Sequence, residues 1–310
     1  MRIDAYIQKV SETTCEGKLG SIFPFSYNLK TKRTMKKCVI ALLALVVLTA
    51  CEKASEECVA NGSAVDNQAE VSLTFSPYEM AAMTRAATSI ASIVTHLDVW
   101  ITDGTMTTDL HQTSADAGFG SLSVTLDKTK TYTLYAVGHR SEGATLADGV
   151  ISFTDDKVTH SMFYTTTFSP ATTTELSCLM SRIVADFRLE ITDDIPAAVK
   201  NLRFTVNGIF DRWNVTTGGT HSLDRVSTIS YGGTSSIFNV YAIVTDASTT
   251  HDITVEALDA NSDVIQTRTF TNVPLRNGYK TTYRGTFFID TPVTSGFTVD
   301  DWNEYDAVDF

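Results

Sequence analysis

Six histidines, His96, His111, His139, His160, His221 and His251, are the first residues to weigh for chemistry. No two of them stand in an HxH or HExxH spacing, so no local motif presents paired imidazoles to a metal ion. Residues far apart in sequence can still meet in a fold. The acidic doublets Asp155-Asp156, Asp193-Asp194 and Asp300-Asp301 offer oxygens for calcium or paired carboxylates for acid–base work. Each lacks the alternating oxygen ligands of a calcium loop, and solvated loop charge is the better reading. There is no GxSxG nucleophile elbow and no GxxxxGK[ST] phosphate loop; Gly118-Phe119-Gly120 is a lone GxG in a turn-like stretch. Trp100, Trp213 and Trp302 have the flat faces that stack on sugar rings. Trp100 sits in a strand pattern and is expected to be partly buried, whereas the setting of Trp213, in Phe210-Asp211-Arg212-Trp213, is the least determined. The expectation is a protein that is not an enzyme, with no catalytic residues, no metal and no cofactor.

A covalent modification is more legible. Met35-Lys36-Lys37 opens a basic run, and Cys38 to Ala50 reads CVIALLALVVLTA, thirteen residues without a charge. A bilayer span wants about 20 apolar residues, so this length suits the core of a signal peptide. It ends in Leu48-Thr49-Ala50-Cys51, the pattern of a bacterial lipobox. Such a cysteine is diacylated on sulfur, the signal is cut before it, and the new amino terminus is acylated. Two or more chains hold a protein on a membrane where one is marginal. Residues 1–34 have no role in a signal that starts at Met35; they read as the result of a start placed too early, with Met35 the true first residue, or as a long n-region of the signal. The product is then expected to begin at Cys51, leaving only Cys51, Cys58 and Cys178. That density excludes a disulfide scaffold, and Cys178 reads as a small buried hydrophobe.

From Cys51 onward the chain carries 33 acids against 16 bases. This balance excludes the Lys/Arg footprint of a nucleic-acid binder and any long-range attraction to anionic lipid. Residues 51–70 are polar and read as a tether. Threonine is abundant, 47 in all and 42 of them from Cys51 onward. A β-branched, hydroxyl-bearing side chain suits the wet face of a pleated sheet. Period-two alternation recurs through Val71–Phe75, Ile93–Ile101, Leu122–Leu126 and Tyr132–Val137. The clearest case is Arg182–Ile191, with Ile183, Ala185, Phe187, Leu189 and Ile191 on one face and Arg182, Asp186, Arg188 and Glu190 on the other. Further strands fit 150–153, 161–168, 201–207, 236–244, 252–258, 263–271 and 279–289. Asn207-Gly208 and Asn277-Gly278 are turn dipeptides. The only helical competitors are short, at Tyr78–Met83 and Ile195–Val199. More than ten short strands predict an all-β chain, and its length predicts two antiparallel sandwiches, 71–180 and 181–310.

The order of several soft motifs carries a resemblance. They are the lipobox at 48–51, Thr84-Arg85-Ala86 shortly before the Ile93–Ile101 strand, Tyr132-Thr133-Leu134-Tyr135-Ala136-Val137, Leu179-Met180-Ser181-Arg182-Ile183-Val184-Ala185, and Asn272-Val273-Pro274-Leu275-Arg276-Asn277-Gly278-Tyr279-Lys280-Thr281, which runs on to Gly285. In these the chain resembles the fimbrillin superfamily of Bacteroidia, the lipoprotein pilins of type V pili and their minor or tip relatives. The resemblance implies two transthyretin-like β-sandwich domains in tandem and a surface-exposed outer-membrane lipoprotein anchored through Cys51. It also implies a fimbrial subunit or fimbria-associated adhesin whose partners are other subunits, an Arg-specific protease and host or bacterial surface ligands. In the polymerising type the protease cuts after an arginine, here between Arg85 and Ala86, and removes the lipid together with the first strand. A strand from the next subunit then fills the groove; Phe297, Val299, Trp302 and Tyr305 are the donor candidates at the C-terminal end. Arg85 also reads as a charge in an exposed connection, and the C-terminal end as an ordinary last strand or a frayed tail. The alternative function is a monomeric surface lipoprotein that binds glycans through its aromatics.

Overall fold

The computed structural model describes residues 67–78, 89–289 and 297–302. Cys51, Arg85, Ala86 and Tyr305, together with the tether through residue 66, lie outside the described residues. What is described is all-β and sandwich-like, with two 3-10 turns and, directly after β1, a helical Tyr78 as the helical parts among the described residues. The first nine strands are β1 (Gln68–Pro77), β2 (His96–Thr102), β3 (Thr107–Thr113), β4 (Ser121–Asp127), β5 (Tyr132–His139), β6 (Ala144–Ala147), β7 (Val150–Phe153), β8 (Met162–Phe168) and β9 (Glu175–Arg182). Then come β10 (Ala185–Ile191), β11 (Asn201–Asn214), β12 (Gly218–Ser230), β13 (Ile237–Ala242), β14 (Thr249–Leu258), β15 (Val264–Leu275), β16 (Tyr279–Gly285) and β17 (Phe297–Asp301).

Strands β3-β2-β5-β8-β9-β1-β4 follow one hydrogen-bonded path. Within it β9 changes partner: Glu175–Met180 run parallel to β1, and Ser181 and Arg182 pair with β8. One strand thus turns the path from one layer to the other, and both layers close on a common core. Val71, Leu73 and Phe75 of β1 meet Leu97, Val99 and Ile101 of β2, Leu134 of β5 and Met180 of β9 there. The later strands form β13-β10-β16-β17 and β15-β14-β11-β7-β6, with β12 on the other side of β11. Phe187 and Leu189 of β10, Leu202 and Phe204 of β11, Val255 of β14 and Phe270 of β15 build a second core.

The two cores are joined by a third cluster. It gathers Trp100, Val137, Ile151, Phe153, Ile183, Val184, Trp213, Ile243 and Trp302. The β6–β7 hairpin serves both sides, because Val150–Ser152 pair with Asn214–Arg212 at the far end of the long strand β11. All described residues belong to one compact unit, Ala64–Phe310.

Several local expectations change. The strand expected over Arg182–Ile191 is interrupted at the buried pair Ile183-Val184, so Arg182 ends β9 while Ala185 starts β10. Its polar face is not wet throughout, since Arg182 and Asp186 are buried. The register explains this: Asp186 lies opposite Tyr241, and the ring of Trp302 stacks on Tyr241 and covers that end of the sheet. Asn207-Gly208 does not end a strand. It forms a bulge inside β11, where the register to β12 shifts between Val206 and Ile209 and Gly208 takes a φ of +66° that only glycine adopts cheaply. The hairpin turn falls after Asn214, whose side chain accepts the N–H groups of Thr216 and Thr217. Asn277-Gly278 is the turn expected, with Gly278 at φ +80°. Residues 195–199 hold a turn and no helix.

Candidate assembly site

The site is built from the first strand outward. Along β1 exposed and buried residues alternate, with Ala69, Val71, Leu73, Phe75 and Pro77 turned inward. Alternation follows from the two-residue period of a pleat, and each inward side chain enters the core between the layers. On one side β1 is antiparallel to β4, Gln68 opposite Asp127 through Thr74 opposite Ser121. On the other it is parallel to β9, Ser72 opposite Glu175 through Pro77 opposite Met180. β1 is therefore an interior strand. Taking it away would separate β4 from β9, leave two rows of backbone groups unpaired and open a trough lined by the core.

The C-terminal end occupies a different sheet. β17 runs antiparallel to β16 as an edge strand, Tyr283 opposite Phe297 through Tyr279 opposite Asp301. The chain leaving β16 is gripped before it gets there. Asp193 Oδ1 accepts the N–H of Phe287 at 2.7 Å, and Oδ2 accepts those of Phe288 and Ile289 at 2.7 and 2.8 Å. Burial pushes the Asp193 carboxyl upward, but the bonds from Phe287, Ile289 and Phe288 together outweigh it and hold it below the ordinary carboxylate range. Arg268 donates to the carbonyls of Phe287, at 2.6 Å, and Ile289. Beyond β17, Trp302 N–H donates to Gly278 O at 3.2 Å and its ring is 4% exposed. That ring lies parallel to His160, with centroids 4.6 Å apart, and under the guanidinium of Arg182 at 4.1 Å. Of the donor candidates, Val299 is 46% exposed, Trp302 is buried, and Phe297 enters only through its backbone pairing.

All three tryptophans lie in the joining cluster, Trp213 included at 9% exposure. The fold thus withholds the flat indole faces that a sugar ring would need. The setting of Trp213, undetermined from sequence, is thus a buried one on β11, where the β6–β7 hairpin pairs.

The fold also assembles a polar cluster that no sequence motif announced. Asp98 lies opposite His111 across β2–β3, and His96 lies opposite His139 across β2–β5. Asp98 accepts from His111 Nδ1 at 2.7 Å and from His139 Nε2 at 2.6 Å. Because a carboxylate only accepts, His139 carries a proton on Nε2, and its Nδ1 meets Ser141 Oγ at 2.7 Å. Burial raises the Asp98 carboxyl and the bonds from His139 and His111 lower it, with the balance below the ordinary value. Ser141, His139 and Asp98 have the connectivity of a hydrolase triad. The serine and imidazole are nonetheless buried, and the ring of Phe153 stands edge-on to His139 at 5.6 Å, so no substrate reaches the hydroxyl. Among the described residues no group of three or more His, Cys, Asp or Glu side chains is placed to hold a metal ion. Cys178 is buried in the first core, and burial pushes its thiol up to about 12.

No family model matches the chain, and no curated protein sequence is similar to it. Several solved structures align with most of the chain. A fimbrial anchor protein of Porphyromonas gingivalis is 10% identical, with 76% of this chain and 98% of that one aligned at a TM-score of 0.43. A fimbrial assembly protein of Parabacteroides distasonis is 11% identical over 75% of this chain and 99% of that one, at a TM-score of 0.41. A protein of Bacteroides thetaiotaomicron, provisionally described as polysaccharide-binding, is 8% identical over 76% and 96%, at 0.47. Likeness at this level carries no argument about activity.

Proposed function

We propose that this chain is a surface-exposed lipoprotein of the outer membrane that serves as a fimbrial subunit or fimbria-associated adhesin and assembles by β-strand exchange. In this reading its two sandwiches, 71–180 and 181–310, are transthyretin-like domains in tandem. Cys51 carries the lipid, and an Arg-specific protease cuts between Arg85 and Ala86.

The observation that supports the reading best is the setting of β1. It is a complete interior strand, and it lies between the lipobox and Arg85, so one cut after Arg85 severs the lipid and the strand from the rest of the chain. Val71, Leu73 and Phe75 are 0%, 1% and 4% exposed. At about 1.5–3 kcal/mol for each buried large side chain, the three contribute roughly 5–9 kcal/mol. That matches the whole net stability of a typical domain, about 5–15 kcal/mol. A cleaved chain that loses β1 is thus expected to be unstable until another extended segment with the same alternation fills the trough. The donor proposed is the C-terminal end of a neighbouring copy, including Phe297, Val299, Trp302 and Tyr305. Among the described residues β17 pairs with β16 alone, so a donor would part from one ladder and would also have to withdraw Trp302 from His160, Tyr241 and Arg182.

Incubation of the purified chain with an Arg-specific protease tests this. Non-covalent oligomers should appear, and a synthetic peptide of the β1 sequence, Gln68–Pro77, added in excess should suppress them. A cleaved protein that stays monomeric without the peptide would overturn the reading.

A further inference from the structure

We infer that the histidine cluster on β2, β3 and β5 is an acid-sensitive catch, which holds the β6–β7 hairpin down at neutral pH and loosens it as His96 takes up a proton. The geometry carries this. His96 lies parallel to His139 with ring centroids 5.5 Å apart, and 5.7 Å from the ring of His111. A single carboxylate, Asp98, serves this group, and both its oxygens already accept imidazole N–H groups from His111 and His139. Among the described residues no carboxylate is bonded to His96; its Nδ1 is 3.0 Å from the hydroxyl of Thr95. A proton on His96 therefore brings a charge beside two imidazoles to which Asp98 is already hydrogen-bonded. The titratable groups that act on His96 are His139 on β5, His111 on β3, Asp98 on β2 and Glu142 in the loop after β5.

What the cluster holds is specific. His139 is fully buried and is fixed between Asp98 and Ser141, in the loop that leads into β6. Phe153, the last residue of β7, packs edge-on against its ring. The same hairpin pairs with β11 and contributes Ile151 and Phe153 to the cluster joining the two cores. Displacing His139 removes the seat of Phe153, and the hairpin is the element that answers.

The direction of the pH effect follows from linkage. Burial first, then His139 and His111, depress the pKa of His96 below 6.5, with Asp98 and Glu142 opposing. The folded chain thus binds this proton less tightly than the unfolded chain. The stability linked to His96 is fully present above about 6.5 and declines as pH falls through that value, until the lowered folded pKa is passed.

The experiment is hydrogen exchange of the full chain at pH 7.5 and 5.0, rate-corrected for intrinsic pH dependence, together with NMR titration of the His96 ring. Exchange across Ala144–Phe153 should accelerate at pH 5.0, by about tenfold for each unit by which the His96 pKa is lowered. His96→Gln should remove the acceleration while keeping neutral-pH protection, and His111→Gln should move the His96 pKa back towards 6.5. His221→Gln, on β12, serves as the control and should change neither. Equal acceleration in His96→Gln would overturn the proposal, as would a His96 pKa at or above 6.5 in the wild type. The ring titration reads the cluster directly even in a variant with altered stability.

Discussion

The guanidinium of Arg182 stands 4.1 Å from the centre of the Trp302 ring, which joins the last residue of β9 to the residue that follows β17. His160 and Tyr241 lie parallel to that ring, at centroid distances of 4.6 and 5.6 Å, so Trp302 is held by elements on both sides of the joining cluster. An aromatic face over a cation, screened from water, is attractive through the ring quadrupole, and stacking adds to the burial of the indole.

Replacement of Trp302 should therefore be costly. Trp302→Ala should lower stability by about 3–5 kcal/mol, the range for emptying a buried aromatic site. It should also make β17 the first segment lost to limited proteolysis. Urea denaturation and mass spectrometry of the early fragments would measure both effects. An unchanged midpoint would show that the stack contributes little.

The grip on residues 287–289 should be acid-sensitive. The folded pKa of Asp193 is depressed, so its contribution is present above the ordinary carboxylate value of about 3.9 and is lost as pH falls through the lower folded value. Asp193→Asn keeps one acceptor oxygen for three N–H donors. It should cost about 1–3 kcal/mol at pH 7 and flatten the stability profile below pH 4. Denaturation midpoints from pH 2 to 7, wild type against variant, give the comparison.

Within β1 the two faces should behave differently. Leu73→Ala should cost about 2–5 kcal/mol as a buried truncation, whereas Thr74→Ala on the exposed face should stay within about 0.5 kcal/mol. Equal effects at the two positions would contradict the interior placement of the strand.

Cys178 should be chemically silent. Its thiol is buried and pushed up to about 12, so almost no thiolate exists at neutral pH. Iodoacetamide at pH 7.5 should leave the Cys178 peptide unlabelled in the native protein and label it fully in urea, as read by peptide mapping.

Alternating burial made much of this fold legible in advance. Val71, Leu73 and Phe75, or Phe187, Leu189 and Ile191, announce a strand because one face is apolar and the other is not. The edge strands β3, β6 and β12 were not expected, since strands such as Thr107–Thr113 and Gly218–Ser230 bury one residue or none and offer no apolar face to detect. Asn207-Gly208 suits a turn and a bulge equally well, and only the length of the partner strand decides between them. The cluster of Asp98 with three histidines stayed hidden for another reason. His96 and His139 are 43 positions apart and meet only through the register of β2 with β5, which single-strand patterning does not contain. Trp213 lay beyond sequence reasoning because its cover comes from a hairpin about 60 positions earlier.

The strand-exchange account is tested most directly by the amino terminus and native mass of the protein extracted from the cell surface. It predicts a chain that begins at Ala86 and runs as a ladder of non-covalent oligomers, with both features lost in Arg85→Ala. Recovery of only an acylated monomer that begins at Cys51 would contradict it.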